Sequence, residues 1–350
     1  MVDWKEFTVV VFCLIVMTCY VVWDNKAAFR LPTMIPGSAR VLKVTKLASS
    51  TPKTPTKTPT KSLEEGAMDQ VMAHFNMTSV RELQKITRKY FSPERHIIDL
   101  SDLDNFMKKC NTKTFTLLNS KRRCNVTHSP VTRYRTCAVI GNGGILLNSR
   151  CGGEIDAHEF VIRNNLPPTS PYQKDVGRRT NLTTINRARL MQVAGGLRRK
   201  KRAKTLARLS ESPGMIFSYS LSLPGSPSKK KLQAIDRAIK ENHIDAVTAF
   251  SHRSYMSNKG YSLYKELFKK RFRLPSTGLN TFALASTFCD RISMYGFYPL
   301  PTYRNRSVPY HYYDGKMFNK AHKMPAEFET FQELHRRGTI RLVVGKCDEW

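Results

Sequence analysis

Short apolar runs alternate with helical patterning along most of this chain, and that alternation narrows it to one fold class. Ala138-Val-Ile140, Phe160-Val-Ile162, Met215-Ile-Phe-Ser-Tyr219, Ile292-Ser-Met-Tyr-Gly296 and Ile340-Arg-Leu-Val-Val344 are too short for helices and read as buried strands. Helical spacing lies around them. Glu64 to Lys85 places Met68, Val71, Met72, Phe75 and Met77 near a 3.6-residue period, and Leu279 to Cys289 is apolar at 279, 282, 283 and 288. A further helix is expected to start at Ile145 to Leu147. Strands alternating with helices imply an α/β domain on a mostly parallel sheet. The chain's 350 residues suffice for one large domain or two small ones with appendages.

The N-terminal end is patterned differently. Phe7 to Trp23 is an almost uncharged apolar run, and its seventeen residues would extend about 26 Å as a helix, the short end of a membrane span. Tyr20 and Trp23 at its end suit an interfacial belt, and no small-x-small cleavage site follows closely. A transmembrane signal anchor at 7–23 behind a short cytoplasmic tail at 1–6 is therefore preferred to a cleaved signal peptide. Residues 24–66 include Ser49 to Ser62, a Pro- and Thr-rich tract with Pro every three or four residues. Proline removes donors and fixes φ, so an extended, solvated stem is expected there, with the folded domain over 67–350.

A lumenal domain agrees with two further features. Sequons for N-glycosylation occur at Asn76, Asn125, Asn181 and Asn305. Six cysteines outside the apolar run, Cys110, Cys124, Cys137, Cys151, Cys289 and Cys347, are dispersed without the short Cys-x-x-Cys spacing of zinc sites. Disulfides in an oxidising compartment are the better reading, and six cysteines allow fifteen pairings. The charge is +31, from 58 Lys and Arg against 27 Asp and Glu. Such an excess attracts polyanions: nucleic acid, acidic lipid, or anionic sugars and nucleotides. The densest basic stretch is Leu197 to Arg208, with Lys229-Lys-Lys231 after it. It reads as a solvated helix face or loop, and the anchor argues against a nuclear role, so no nucleic-acid partner is expected.

The strand Ala138 to Ile140 runs into Gly141-Asn-Gly-Gly144. Glycines after a strand can let a phosphate or ribose approach the backbone. The sixth position of a dinucleotide Gly-x-Gly-x-x-Gly would be Leu146, however, so a structural turn is an equal alternative. The wider pattern is more specific. Cys137 through Asp156 and on to Phe160-Val-Ile-Arg-Asn-Asn-Leu-Pro-Pro168 closely resembles the large sialyl motif of animal sialyltransferases. Leu274-Pro-Ser-Thr-Gly-Leu279, Phe288-Cys-Asp290 and Tyr295-Gly-Phe297 resemble the small motif. His311-Tyr-Tyr-Asp314 resembles the third motif, and His322-Lys-Met-Pro-Ala-Glu327 the very short one. The four stand in the family's order, and the His-Tyr-Tyr-Asp and Pro-Ala-Glu forms look most like the α-2,8-sialyltransferase branch, with a lean toward its ganglioside or oligosialyl members.

The resemblance implies a Rossmann-like GT-A-variant glycosyltransferase domain. It implies transfer of sialic acid from CMP-sialic acid to a sialylated glycan on lipid or protein, by inverting displacement without a metal or other cofactor. His322 would be the general base, a task suited to imidazole at neutral pH. His311 would stabilise charge on the departing CMP phosphate. Asn142 and Asn165 would hold the nucleotide, and Ser276, Thr277 and Gly278, at a helix N-terminus, would offer backbone N–H groups to the donor. Cys137 would pair with Cys289 and Cys151 with Cys347, leaving Cys110 and Cys124 to pair locally, link another chain or stay free. The implied location is the Golgi membrane, as a single-pass type II protein, with homo-oligomers left open. One departure stands out: Asn164 occupies the place of the family's usual Cys in Arg-Cys-Asn. The rival readings are a sialyltransferase of α-2,3 or α-2,6 linkage, a membrane-tethered lectin-like protein without turnover, and a polyanion-binding protein using residues 197–231.

Overall fold

The computed structural model describes residues 68–93, 97–102, 130–221, 227–252, 262–269, 272, 274–316 and 322–347. The expected tail, anchor and stem, Cys110, Cys124 and Asn125 lie outside them. Among the described residues no helix is long and apolar enough to cross a membrane.

Eight strands form one sheet: β1 (Ile98–Asp99), β2 (Tyr134–Ile140), β3 (Phe160–Asn164), β4 (Leu182–Ile185), β5 (Gly214–Leu221), β6 (Ala246–His252), β7 (Cys289–Tyr295) and β10 (Arg341–Val343), in the order β1-β6-β5-β4-β3-β2-β7-β10. Every pairing is parallel except that of the edge strand β1 with β6. β8 (Thr302–Tyr303) and β9 (Arg306–Ser307) make a separate small hairpin. The expected largely parallel α/β sheet is thus present. After the edge strand β1, the chain enters mid-sheet at β2, steps outward through β3 to β6, and then returns to place β7 on the other side of β2. In such sheets the carboxyl ends beside the point of reversal form the ligand crevice.

Parallel strands need both faces covered, and alternate residues on each strand divide accordingly. Cys137, Val139, Phe160, Ile162, Met215 and Phe217 enter one core, beneath α1 (Met77–Tyr90), α6 (Thr277–Ala285) and α7 (Met324–Arg336). Ala138, Ile140, Val161 and Ile216 point the other way, under α2 (Gly152–Ala157), α3 (Arg187–Gly196), α4 (Arg202–Ser210) and α5 (Pro227–Glu241). The disulfides Cys137–Cys289 and Cys151–Cys347 are both formed, as the resemblance implied. They close loops of 152 and 196 residues, each contributing about 4–5 kcal/mol in the chain-entropy model.

Several element boundaries differ from the sequence reading. The single helix expected over Glu64 to Lys85 is two in its described part, 68–73 and α1. Asn76 breaks it by capping α1, accepting from the Thr78 and Ser79 N–H groups. Ile145 to Leu147 starts no α-helix: Gly144–Leu146 is one 3₁₀ turn. The helix expected to reach Cys289 stops at Ala285, because β7 begins at Cys289. The basic stretch is a 3₁₀ turn, Arg199–Lys201, followed by α4, mostly exposed as expected.

Asn164 explains its departure from the family pattern. Its side chain is buried on the α6 side of the sheet, where Nδ2 donates to the Ile140 carbonyl at 2.7 Å. Its Oδ1 accepts from the Thr184 and Thr281 hydroxyls at 3.0 and 2.7 Å. Thr281 also meets Thr184 and the Tyr219 hydroxyl, each at 2.9 Å. One amide thereby ties the ends of β2 and β4 to α6. Asn164→Ala leaves these groups short of partners at about 1–3 kcal/mol each. The expected outcome is a loss of roughly 3 kcal/mol in urea unfolding of the oxidised protein. An unchanged midpoint and slope would show the network to be dispensable.

Candidate active site

The carboxyl edge of the sheet gathers six short segments. The first is the loop 141–144 after β2. Its N–H groups turn inward: Gly141 donates to Tyr295 at 2.7 Å, Gly143 to Gly296 at 3.0 Å and Gly144 to Pro309 at 3.1 Å. A Cβ on Gly141 would stand 2.4 Å from the Gly296 carbonyl oxygen, and one on Gly144 2.3 Å from that of Pro309. The glycines are thus required by backbone packing against the β7 loop, and those three N–H groups are not available to a phosphate. Asn142, at the apex, donates Nδ2 to the Asn164 carbonyl at 3.0 Å, and its own carbonyl accepts from Tyr312 N–H at 3.0 Å. Its Oδ1 is buried with no partner among the described residues.

The second segment follows β3. Asn165 and Leu166 both have left-handed backbones, φ 62° and 51°. Asn tolerates that region, while for buried Leu166 it is strained. The turn lets Asn165 Oδ1 accept from Asn186 N–H at 3.0 Å. Asn186, not anticipated from sequence, begins the third segment. It caps α3 through Arg189 N–H at 2.9 Å and donates to the Thr277 hydroxyl at 3.2 Å. Its signal was available, since Asn before Arg187-Ala-Arg-Leu190 fits an N-cap after a short strand.

The fourth and fifth segments meet each other. Ser276 caps α6 through Leu279 N–H at 3.0 Å. The Ser276 N–H and hydroxyl donate to buried Glu327 at 2.8 and 2.5 Å. Ser276 N–H is therefore not open to a donor, contrary to expectation. The N–H groups of Thr277 and Gly278, in the first turn, have no acceptor among the described residues. A Cβ on Gly278 would stand 2.5 Å from the Phe297 ring, so this glycine serves packing. Burial raises the Glu327 carboxyl above its usual range, against the Ser276 bonds and the nearby His322.

His322 lies one turn before Glu327, with Nδ1 3.0 Å from the Leu274 carbonyl. A carbonyl only accepts, so Nδ1 carries the hydrogen, and in the neutral ring Nε2 presents a lone pair. His311 is packed between the Tyr310 and Tyr313 rings, with centroids 4.3 and 5.2 Å away, and Nδ1 lies 2.9 Å from Asp314 Oδ1. Burial lowers the His311 pKa below the ordinary imidazole value, although Asp314 pulls it upward. The structure thus joins Asn142, Asn165, Ser276, Thr277, His311 and His322 through shared contacts along one edge. One Asp-x-Asp sequence does occur, beginning at Asp102. Only its first residue is described, in the turn after the antiparallel β1, which leads toward the opposite edge of the sheet.

Among the sequons, Asn76 and Asn305 are exposed. Asn181 is half-buried, with Oδ1 accepting from Val161 N–H at 2.8 Å.

Two crystal structures of a mammalian sialyltransferase align over 73% of this chain and 92% and 93% of theirs. Their identities are 17% and 18% and TM-scores 0.43 and 0.44, and the second is a complex with Gal-β-1-3GalNAc-ortho-nitrophenol. Alpha-2,8-sialyltransferase 8F of Pan troglodytes is 34% identical over 220 residues, 61% of this chain and 54% of the relative, so the match spans about half that relative's length. The model of glycosyltransferase family 29 (sialyltransferase) matches residues 71–339, which contain every segment of this site, and the chain belongs to that family.

Proposed function

We propose that this chain transfers sialic acid from CMP-sialic acid to the terminal sialic acid of a glycan, forming an α-2,8 linkage, from the lumenal side of the Golgi membrane. The carrying observation is the His322 imidazole, held by the Leu274 carbonyl with Nε2 unengaged among the described residues, beside two N–H groups at the start of α6 that likewise have no acceptor there. The linkage is supported by the 34% identical α-2,8 relative.

In this reading the acceptor hydroxyl oxygen attacks the anomeric carbon on the face opposite CMP. Its proton passes to His322 Nε2 while the bond to the phosphate oxygen breaks and the electron pair leaves on CMP. Thr277 and Gly278 N–H groups hold the donor's carboxylate or phosphate. A donor hydroxyl or amino group supplies the hydrogen that buried Asn142 Oδ1 lacks. His311 has committed Nδ1–H to Asp314, so Nε2 must be protonated to donate to the phosphate. No metal ion is assigned a role.

His322→Ala in the detergent-solubilised full chain should lower acceptor-dependent CMP release roughly 10²- to 10⁴-fold, with CMP binding retained and EDTA present throughout. Turnover that survives the substitution would remove His322 as the base. CMP binding without turnover on any acceptor would favour the lectin-like reading. Linkage analysis of the product separates α-2,8 from α-2,3 and α-2,6.

The lowered pKa of His311 gives a pH prediction. The free imidazole is mostly neutral at pH 7, and an adjacent phosphate favours its protonated form, so binding takes up a proton. CMP should bind more tightly as pH falls from 8 toward 6. Calorimetry in buffers of different ionisation enthalpy should show proton uptake that is lost in His311→Gln. Equal uptake in that variant would place the proton elsewhere.

A further inference from the structure

Arg189 is a cation that the architecture of the site does not require. It stands in the first turn of α3, which holds no acidic residue there and also carries Arg187. Cations are disfavoured at that end of a helix, where the partial charge is already positive. The Arg189 side chain donates to the Gln192 amide oxygen at 2.8 Å and to the Tyr313 hydroxyl, both neutral groups. The carboxylates of the site are engaged by other groups. Asp314 faces His311 and Lys316, Glu211 faces Arg208 and the Thr169 N–H, and Glu327 faces Ser276. Arg189 also lies near enough to His311 for its charge to bear on that imidazole. The backbone beside it is fixed: Asn186 caps the same turn and reaches Thr277 at the start of α6. Half-buried Arg189, with no carboxylate partner among the described residues, therefore faces the ring that packs on His311.

We propose that Arg189 selects acceptors ending in sialic acid, its guanidinium pairing with the carboxylate of the acceptor's terminal sugar. This rests on the α-2,8 reading above. In that reaction the attacking hydroxyl belongs to a sugar that always bears a carboxylate, whereas a galactose-ended acceptor bears none. Guanidinium and carboxylate form a bidentate, charge-assisted pair that a neutral acceptor cannot replace. The donor also carries a carboxylate and a phosphate, for which the reading supplies His311 and the start of α6. The same anion chemistry could thus come from two sources, and the experiment separates them.

The test uses the detergent-solubilised full chain with CMP-sialic acid and two acceptors, a sialyl-lactose glycoside and its carboxyl methyl ester. For wild type, the ester should raise acceptor KM roughly 10- to 100-fold, the range of one charge-assisted bond. Arg189→Ala should raise KM for the native acceptor by a similar factor and no longer distinguish the two acceptors. Arg189→Lys should fall between, and KM for CMP-sialic acid should stay at the wild-type value in both variants. An acceptor KM unchanged in Arg189→Ala overturns the proposal. So does a raised donor KM with the acid-over-ester preference intact, which would assign Arg189 to the donor. Should Arg189→Ala fail to fold, the wild type with both acceptors and Arg189→Lys still decide. Wild type that sialylates only lactose, not sialyl-lactose, would refute the α-2,8 reading itself, an outcome seen without any variant.

Discussion

The backbone of the β2 loop lies directly against the backbone of the β7 loop, and the rest of the site is arranged around that contact. Gly141 and Gly143 donate to the carbonyls of Tyr295 and Gly296, and neither glycine position has room for a Cβ beside the Gly296 carbonyl. The disulfide Cys137–Cys289 joins the same two strands further back. With these loops in contact, Asn142 is pushed to the apex, where its carbonyl receives Tyr312 N–H. That bond, with Gly144 N–H on the Pro309 carbonyl and the Tyr312 hydroxyl on the Pro168 carbonyl, fixes the third motif over the first, which places His311 at the site. The loop therefore builds the site mechanically, and side chains carried on it and on neighbouring turns are left to meet a ligand.

Electrostatically, the site is organised by disposing of its own acids. Helices α3, α6 and α7 all begin at the carboxyl edge of the sheet, so their positive ends converge there. Each carboxylate nearby is spent on a local donor: Glu327 on Ser276, Asp314 on His311, Glu211 on Arg208. What remains facing outward is positive or neutral. A site of this kind suits an anionic ligand, and desolvation strengthens each such contact.

Much of the outline was legible in the sequence because the central strands are apolar on both faces. Ala138 to Ile140, Phe160 to Ile162 and Met215 to Tyr219 could be read directly. β4, Leu-Thr-Thr-Ile185, and the Thr- and Ser-containing β6 were not, because their buried hydroxyls look polar until their partners are seen. Helix α3 was hidden by arginines among its apolar residues. The motif histidines could be named from the resemblance. The partners of Asn164, from Ile140 to Thr281, are set by strand order and not by spacing, which no local pattern encodes. The Asn-Gly-Gly loop was ambiguous for a physical reason: glycine serves ligand approach and backbone packing equally, and only the position of Gly296 decides between them.

His322 and the start of α6 are held by the same two segments. Leu274, two residues before the α6 cap, supplies the carbonyl that orients His322, while Glu327, one turn into the segment carrying His322, takes the Ser276 N–H and hydroxyl. These reciprocal bonds lock the entry of α6 to the entry of α7. Burial disfavours the ionised form of Glu327, and the two Ser276 bonds offset that cost. A displacement of one helix start would thus move the imidazole and the open N–H groups together, keeping their separation. Where two groups must act on one ligand, conserving their separation matters more than rigidity of either part alone.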